Sequence, residues 1–250
     1  MNVVAIVPSR YASSRFPGKP LAMIGGKSMV QRVYERVSKV KSIQQTIVAT
    51  DDKRIFDHVN SFGGNVQMTG DHHESGTDRC AEVATSLKDV DLIINVQGDE
   101  PFLNPGQIEL LIEQLKGLKN SGIATLAKSI HSESELQNPS VVKVVLNRKN
   151  KALYFSRSII PHLRGKAVKT HLDQQLFYKH IGIYGFYRTT LLELARLEMT
   201  KLEKAESLEQ LRWLENGYEI QVGITEEETM GIDTVEDLER AELYLKGIGE

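Results

Sequence analysis

An α/β fold is predicted for this chain: a Rossmann-like, doubly wound, mostly parallel sheet flanked by helices, with a smaller antiparallel sub-lobe. Three observations carry that expectation. Val3–Val7, Thr46–Thr50 and Asp91–Val96 are short apolar runs rich in β-branched residues, the pattern of strands buried on both faces. Met29–Val40, Arg54–Phe62 and Asp78–Leu87 lie between or after them and carry apolar residues at helical spacing. Strand and helix in strict alternation build a parallel sheet through crossover connections.

The rhythm changes after about residue 120. Val141–Leu146, Ala152–Phe155, Ile181–Tyr187 and Glu219–Ile224 read as strands, several of them antiparallel, and Thr190–Leu197, Leu208–Asn216 and Val235–Leu245 as helices. No repeat, low-complexity tract or Pro/Gly/Ser linker divides the chain. The expected organisation is therefore one domain over residues 1–250. Residues 1–120 form its first part, and 121–250 a sub-lobe ending in the C-terminal helix. In doubly wound sheets ligands bind beyond the carboxyl ends of the strands, which directs attention to the loops after Val7, Thr50 and Val96.

Composition narrows the partners. Lys and Arg total 31 against 33 Asp and Glu, a formal net charge of -2, so nothing points to wholesale binding of nucleic acid or an anionic membrane. Cys80 is the single cysteine, which rules out an intramolecular disulfide and fits a reducing compartment. The opening apolar run is too short for a signal peptide, and no stretch approaches the ~20 apolar residues that span a bilayer. A cytoplasmic location is the expectation.

The first loop, Pro8 to Leu21, concentrates Arg10, Arg15 and Lys19 with the small residues Ala12, Ser13 and Ser14. A triphosphate needs fixed positive charge, close backbone N–H groups and little loop entropy to lose, and Pro17 and Pro20 stiffen the segment presenting Lys19. Neither the Walker pattern nor Gly-x-Gly-x-x-Gly is present. The plain alternative is a solvated basic loop.

Asp99, after the third strand, and Asp233, before the last helix, could share Mg²⁺, which takes one or two carboxylates with substrate oxygens and water. Asp99 is equally an ordinary turn residue, and Asp233 a helix-entry residue beside Thr234 and Asp237. Ser75 or Thr77 can cap the helix that begins near Asp78, and the N–H groups there suit a polar or anionic ligand. Gln97 can read a base or a sugar, or merely end a strand. His72 and His73 with Glu74 read as a polar loop rather than a metal centre.

These stretches together resemble the sugar nucleotidyltransferase family, in particular its cytidylyltransferases that activate 3-deoxy-manno-octulosonate (Kdo). The resemblance covers nearly the whole chain. It rests on the first loop, Val48–Asp52, Glu74–Arg79, Asn95–Pro101, Ala152–Arg157, His180–Gly185, Leu208–Arg212 and Gly231–Thr234. It implies that CTP and Kdo give CMP-Kdo and pyrophosphate for lipopolysaccharide biosynthesis, with Mg²⁺ on Asp99 and Asp233 and with Lys19 joining them in catalysis. Arg10, Ser13, Ser14, Arg15, Lys19, Ser75, Thr77, Arg79 and Gln97 are then expected around CTP, and Gln97, Arg157, His180, Tyr184, Glu209 and Gln210 around the sugar. Arg157 is the expected partner of the Kdo carboxylate, because Arg pairs with carboxylates bidentately. His180 and Tyr184 alternate with Ile181 and Ile183 and could instead face solvent, and Ser207–Gln210 reads as a capping box that would occupy Gln210. The resemblance also implies a homodimer, with residues 1–120 as the nucleotide-binding part and 121–250 as the sugar-binding and dimerisation sub-lobe. A cytidylyltransferase for another ulosonate, a metal-dependent glycosyltransferase and a nucleotide sensor are the alternatives.

Overall fold

The structure, a computed structural model, describes residues 1–12, 16–118, 122–165, 172 and 176–248. It divides into two compact units, Met1–Glu109 with Glu228–Glu250, and Leu110–Glu227. The sequence reading put the division near residue 120 and kept the C-terminal helix with the second part.

In the first unit β1 (Val3–Pro8) is followed by the short pair β2 (Met23–Ile24) and β3 (Lys27–Ser28). Then come α1 (Met29–Val37), β4 (Gln45–Thr50), α2 (Lys53–Ser61), β5 (Val66–Met68), α3 (Gly76–Ser86) and β6 (Leu92–Asn95). The helix α4 (Pro105–Lys116) follows. Each of the first three helices starts where a side chain accepts from its first turn: Ser28 from Gln31 N, Asp52 from Arg54 N and Ser75 from Asp78 N. The strands run parallel in the order β6-β1-β4-β5. The chain therefore winds outward from β1 through β4 to β5, then returns to the other side of β1 as β6. That reversal puts a topological switch point at the carboxyl ends of β1 and β6, where open α/β sheets hold their ligands.

The second unit holds β7 (Ile123–Ser129), α5 (Glu133–Gln137), β8 (Lys143–Leu146), β9 (Ala152–Ser156), β10 (Tyr178–Tyr187), α6 (Arg188–Leu194), α7 (Lys201–Glu206), α8 (Gln210–Glu215) and β11 (Ile220–Ile224). β10 pairs antiparallel with β7 and β8, and β8 with β9, as the change of rhythm suggested; β11 departs by running parallel to β7. Lys143 is fully buried and survives there because its ammonium donates to the carbonyls of Asn138, Val141 and Arg157.

α9 (Val235–Ile248) belongs to the first unit, where Ile232, Ala241 and Leu245 pack with Ile24, Met29 and Phe102. Burying that apolar set brings the Gly231–Thr234 segment back to the end of β6, and Ile232 N donates to the Asp99 carbonyl at 2.9 Å.

One capping expectation is corrected. Ser207 is left-handed, with φ 52°, and closes α7; Glu209 stands at the start of α8 without a side-chain cap bond. The reciprocal bond of a capping box is found at α7 instead, where Glu203 Oε2 accepts from Thr200 N at 3.2 Å. Ser207–Gln210 thus spans a helix end and a helix start, two residues too early for its hydroxyl to cap α8.

Candidate active site

One cleft of about 220 Å³ opens at the switch point of the first unit. Three loops and a helix end line it. Pro8, Ser9 and Arg10 come from the end of β1, Gln97, Gly98 and Asp99 from the end of β6, and Lys19 and Pro20 from the 3₁₀ turn Lys19–Leu21. His73 to Gly76 lead into α3, and Asp233 arrives ahead of α9.

Close approach of the loops depends on glycine. A Cβ on Gly98 would stand 3.0 Å from both the Pro8 carbonyl oxygen and Ser9 Oγ, so a side chain there would push the β6 loop away from β1. Gly18 sits at φ 72°, where a side chain is strained, and its Cβ would meet the Tyr11 ring at 3.0 Å. That packing holds the start of the 3₁₀ turn and aims Lys19 into the cleft.

Lys19 Nζ donates to Asp99 Oδ2 at 2.8 Å and to Asp233 Oδ1 at 3.1 Å. Two carboxylates, 134 positions apart in sequence, thus share one cation. Donors of this kind fit Mg²⁺, which is satisfied by two carboxylates when substrate and water supply the remaining oxygens. Among the described residues no cluster of three or more His, Cys, Asp or Glu side chains is placed to hold a metal. The adjoining Glu100 carboxyl is pushed up to about 8 by burial and by the Asp99 charge, and its Oε2 has no hydrogen-bond partner among the described residues. Glu100 is therefore neutral beside Asp99 at neutral pH.

Other expected residues divide. Ser75 caps α3, which leaves the N-terminal N–H groups of an eleven-residue helix facing the cleft. Arg79 touches the cleft, but its guanidinium is buried against Thr69 Oγ1 at 2.5 Å and Asp51 Oδ2 at 3.4 Å. Thr77 is buried and receives a hydrogen bond from Asn95 Nδ2 at 3.5 Å; it does not line the cleft. Ser13, Ser14 and Arg15 lie outside the described residues. His73 was weighed only as half of a histidine pair. It is in the cleft wall, with Nε2 held by Glu82 of α3. Only the fold of the loop onto α3 separates it from His72.

Apart from Gln97, the expected sugar residues lie in the second unit. Tyr184 is buried, which corrects the solvent-facing alternative for it, and His180 is half-buried. A bulge in β10 between Ile181 and Tyr184 breaks the simple alternation, and Tyr184 is buried against Trp213 and Phe186. His180 lies between Phe155, which it meets edge-on at 5.1 Å, and Tyr184, tilted at 5.2 Å, with Nε2 2.9 Å from Thr125 Oγ1. Burial drives its imidazole down to about 3, so it stays neutral. Burial, reinforced by the Glu209 carboxylate, holds the Tyr184 phenol well above its ordinary value, and its hydroxyl has no partner among the described residues. Gln210 is buried at the start of α8. Arg157 spends three donors on the carbonyls of Glu206, Pro139 and Ser207, clamping the end of α7.

The signature of the protein family described as Cytidylyltransferase matches residues 4–222. The chain belongs to the cytidylyltransferase family. Its relatives in that family include a protein of Parabacteroides distasonis named 3-deoxy-manno-octulosonate cytidylyltransferase, 54% identical over 250 residues and covering 98% of each chain. One of the same name from Thermodesulfovibrio yellowstonii is 48% identical over 252 residues, also covering 98% of each. Among solved structures, a CMP:2-keto-3-deoxy-manno-octonic acid synthetase complexed with CTP superposes with a TM-score of 0.91 at 41% identity, covering 99% of this chain and 100% of the other. The 4-diphosphocytidyl-2C-methyl-D-erythritol synthase of Anaerococcus prevotii shares the fold alone, with a TM-score of 0.64 at 17% identity over 98% of each chain.

Proposed function

We propose that this cytidylyltransferase joins CTP to Kdo, giving CMP-Kdo and pyrophosphate, and that it needs Mg²⁺ to do so. The observation that carries the reading is the pairing of Asp99 and Asp233 around one cation at the switch point of the sheet. Support for the substrates comes from the full-length relatives named for this reaction and from the CTP complex that superposes on the chain.

In the proposed reaction the anomeric hydroxyl oxygen of Kdo forms a bond to the α-phosphorus, the bond from that phosphorus to the bridging oxygen breaks, and pyrophosphate leaves. The hydroxyl's proton passes to water or to the departing pyrophosphate. Asp99 and Asp233 would hold Mg²⁺, which when bound stabilises charge on the α-phosphate and lowers the pKa of the attacking hydroxyl. Arg10 and Lys19 balance the charge of the triphosphate, and the α3 N-terminus offers N–H groups to it or to the ribose. Gln97 reads the base or the sugar through its amide. Arg79 acts indirectly, by fixing Thr69 and Gly70 ahead of His73.

On the sugar side a neutral His180, the Tyr184 hydroxyl, Glu209 and Gln210 supply donors and acceptors for hydroxyl groups. Arg157, with two N–H donors beyond its three carbonyl contacts, faces the Kdo carboxylate. Among the described residues no helix is long and apolar enough to cross a membrane. A cytoplasmic homodimer serving lipopolysaccharide biosynthesis completes the reading, and sedimentation of the purified chain tests the dimer.

Pyrophosphate release with CTP, Kdo and Mg²⁺ tests the activity, against sugar-free, UTP and EDTA controls. Release is expected only with all three components. Asp99→Asn is expected to abolish turnover while CTP binding falls far less; full turnover in that variant removes Asp99 from the chemistry.

A further inference from the structure

Lys19 occupies the point where its two carboxylate partners converge, and three observations show that this is built in. The turn that carries it is held by Gly18 against Tyr11, with Leu21 N donating to the Gly18 carbonyl and Ala22 N to that of Lys19. Asp99 and Asp233 are held to one another through the backbone, by the bond from Ile232 N to the Asp99 carbonyl. Asp233 N and Thr234 N both donate to Asp237 Oδ2 at 2.9 Å, which fixes the loop ahead of α9. The backbones that carry the two carboxylates are thus held together by bonds independent of the lysine, while the ammonium, on a flexible four-carbon stem, can leave. The Lys19 side chain is 15% exposed against 32% for Asp99 and 47% for Asp233, so both carboxylates are more open to solvent than the lysine that joins them.

We propose that Lys19 is a placeholder cation: it neutralises Asp99 and Asp233 until nucleotide binds, competes with a divalent ion for them, and transfers to the triphosphate when metal and nucleotide enter together. This rests on the metal reading above. An ammonium is a compact charge with three donors, and two of them are engaged by the carboxylates here. Mg²⁺ dehydrates reluctantly and must displace both charge-assisted bonds to bind. Phosphate oxygens offer the ammonium replacement acceptors, so nucleotide relieves the competition and raises metal affinity, and metal raises nucleotide affinity by the same factor. The device keeps two acidic groups from binding divalent ions unproductively and holds them in position meanwhile.

The test is calorimetric titration of Mn²⁺, an oxygen-seeking divalent probe, into the full chain without nucleotide. Wild type is expected to bind weakly. Lys19→Met, and Lys19→Gln as a second neutral variant, are expected to bind one Mn²⁺ roughly tenfold or more tightly. Lys19→Arg keeps the charge and should stay near wild type. Adding Asp99→Asn to Lys19→Met should abolish the gain. Equal affinity in wild type and both neutral variants overturns the placeholder, and so does an arginine variant that binds as tightly as the methionine one. The metal reading is separated by titrating the CTP complex. If Asp99→Asn weakens Mn²⁺ binding there while the Lys19 variants change nothing without nucleotide, the metal site stands and the placeholder falls. If Asp99→Asn has no effect in the CTP complex, both fall.

Discussion

Acid sensitivity should be traceable to one imidazole in the second unit. His180 packs edge-on against Phe155 and tilted against Tyr184, and burial pushes its pKa down to about 3. In the unfolded chain a histidine titrates near ~6.5. Its folded pKa is the lower one, so the unfolded state takes up the proton first. The stability it contributes is complete above about pH 6.5 and is lost progressively as pH falls toward about 3. One proton is worth about 1.4 kcal/mol per pH unit in that window, so cooling of stability between about pH 7 and pH 5 amounts to about 2 kcal/mol from this residue. The perturbation is His180→Asn, which removes the titration while keeping a small polar side chain near Thr125. The chain has seven histidines, and the difference between the two proteins isolates this one. Thermal unfolding at both pH values is the assay. The variant should carry a pH-independent cost from lost packing, and the gap between the proteins should narrow by about 4–8 °C at the lower pH, at roughly 2–4 °C per kcal/mol for a chain of this size. Parallel curves would show that the imidazole titrates alike in both states, and the account of its enclosure would be wrong.

Two further expectations are structural. Glu203 and Arg212 form a buried bidentate pair at 2.6 and 2.8 Å, so Glu203→Ala should lower the denaturant-derived stability by about 3–5 kcal/mol, whereas replacing both residues by Met should recover most of the loss. A single-variant cost below about 1 kcal/mol would show the pair to be solvated. Gly98→Ala should cost about 1–3 kcal/mol by overpacking against the Pro8 carbonyl and Ser9, and should lower kcat about tenfold or more by displacing Asp99. Wild-type kinetics would mean that the loop gives way without moving the carboxylate.

Much of the first unit was legible because its signals are local. The strand patterns at Val3, Thr46 and Asp91 need only one-dimensional hydrophobicity, and they recover β1, β4 and β6 to within about two residues. Each helix between them begins with its own cap. The elements that escaped notice had weaker local signals. β7 reads Ile-Ala-Thr-Leu-Ala-Lys-Ser, whose alanines suit a helix as well as a strand, and its pairing with β10 and β11 decides for the strand. α4 opens with Asn104 accepting from Gly106 N behind Pro105, a start signal that was present but unused.

The site shows the same divide. Residue type and position after a strand were enough to single out Lys19, Asp99 and Asp233, because phosphate and metal chemistry demands charge at strand ends. That Lys19 joins both aspartates, that Arg79 is spent on Asp51 and Thr69, that Thr77 turns inward and that His73 enters the wall were decided by tertiary structure alone. The physical reason is that a charge's partner is set by which backbones lie within a few ångströms, and here those backbones come from opposite ends of the chain. Periodicity along the sequence encodes which face of an element is apolar. It carries no record of the β10 bulge that buries Tyr184, or of the apolar contacts of α9 that return Asp233 to the end of β6.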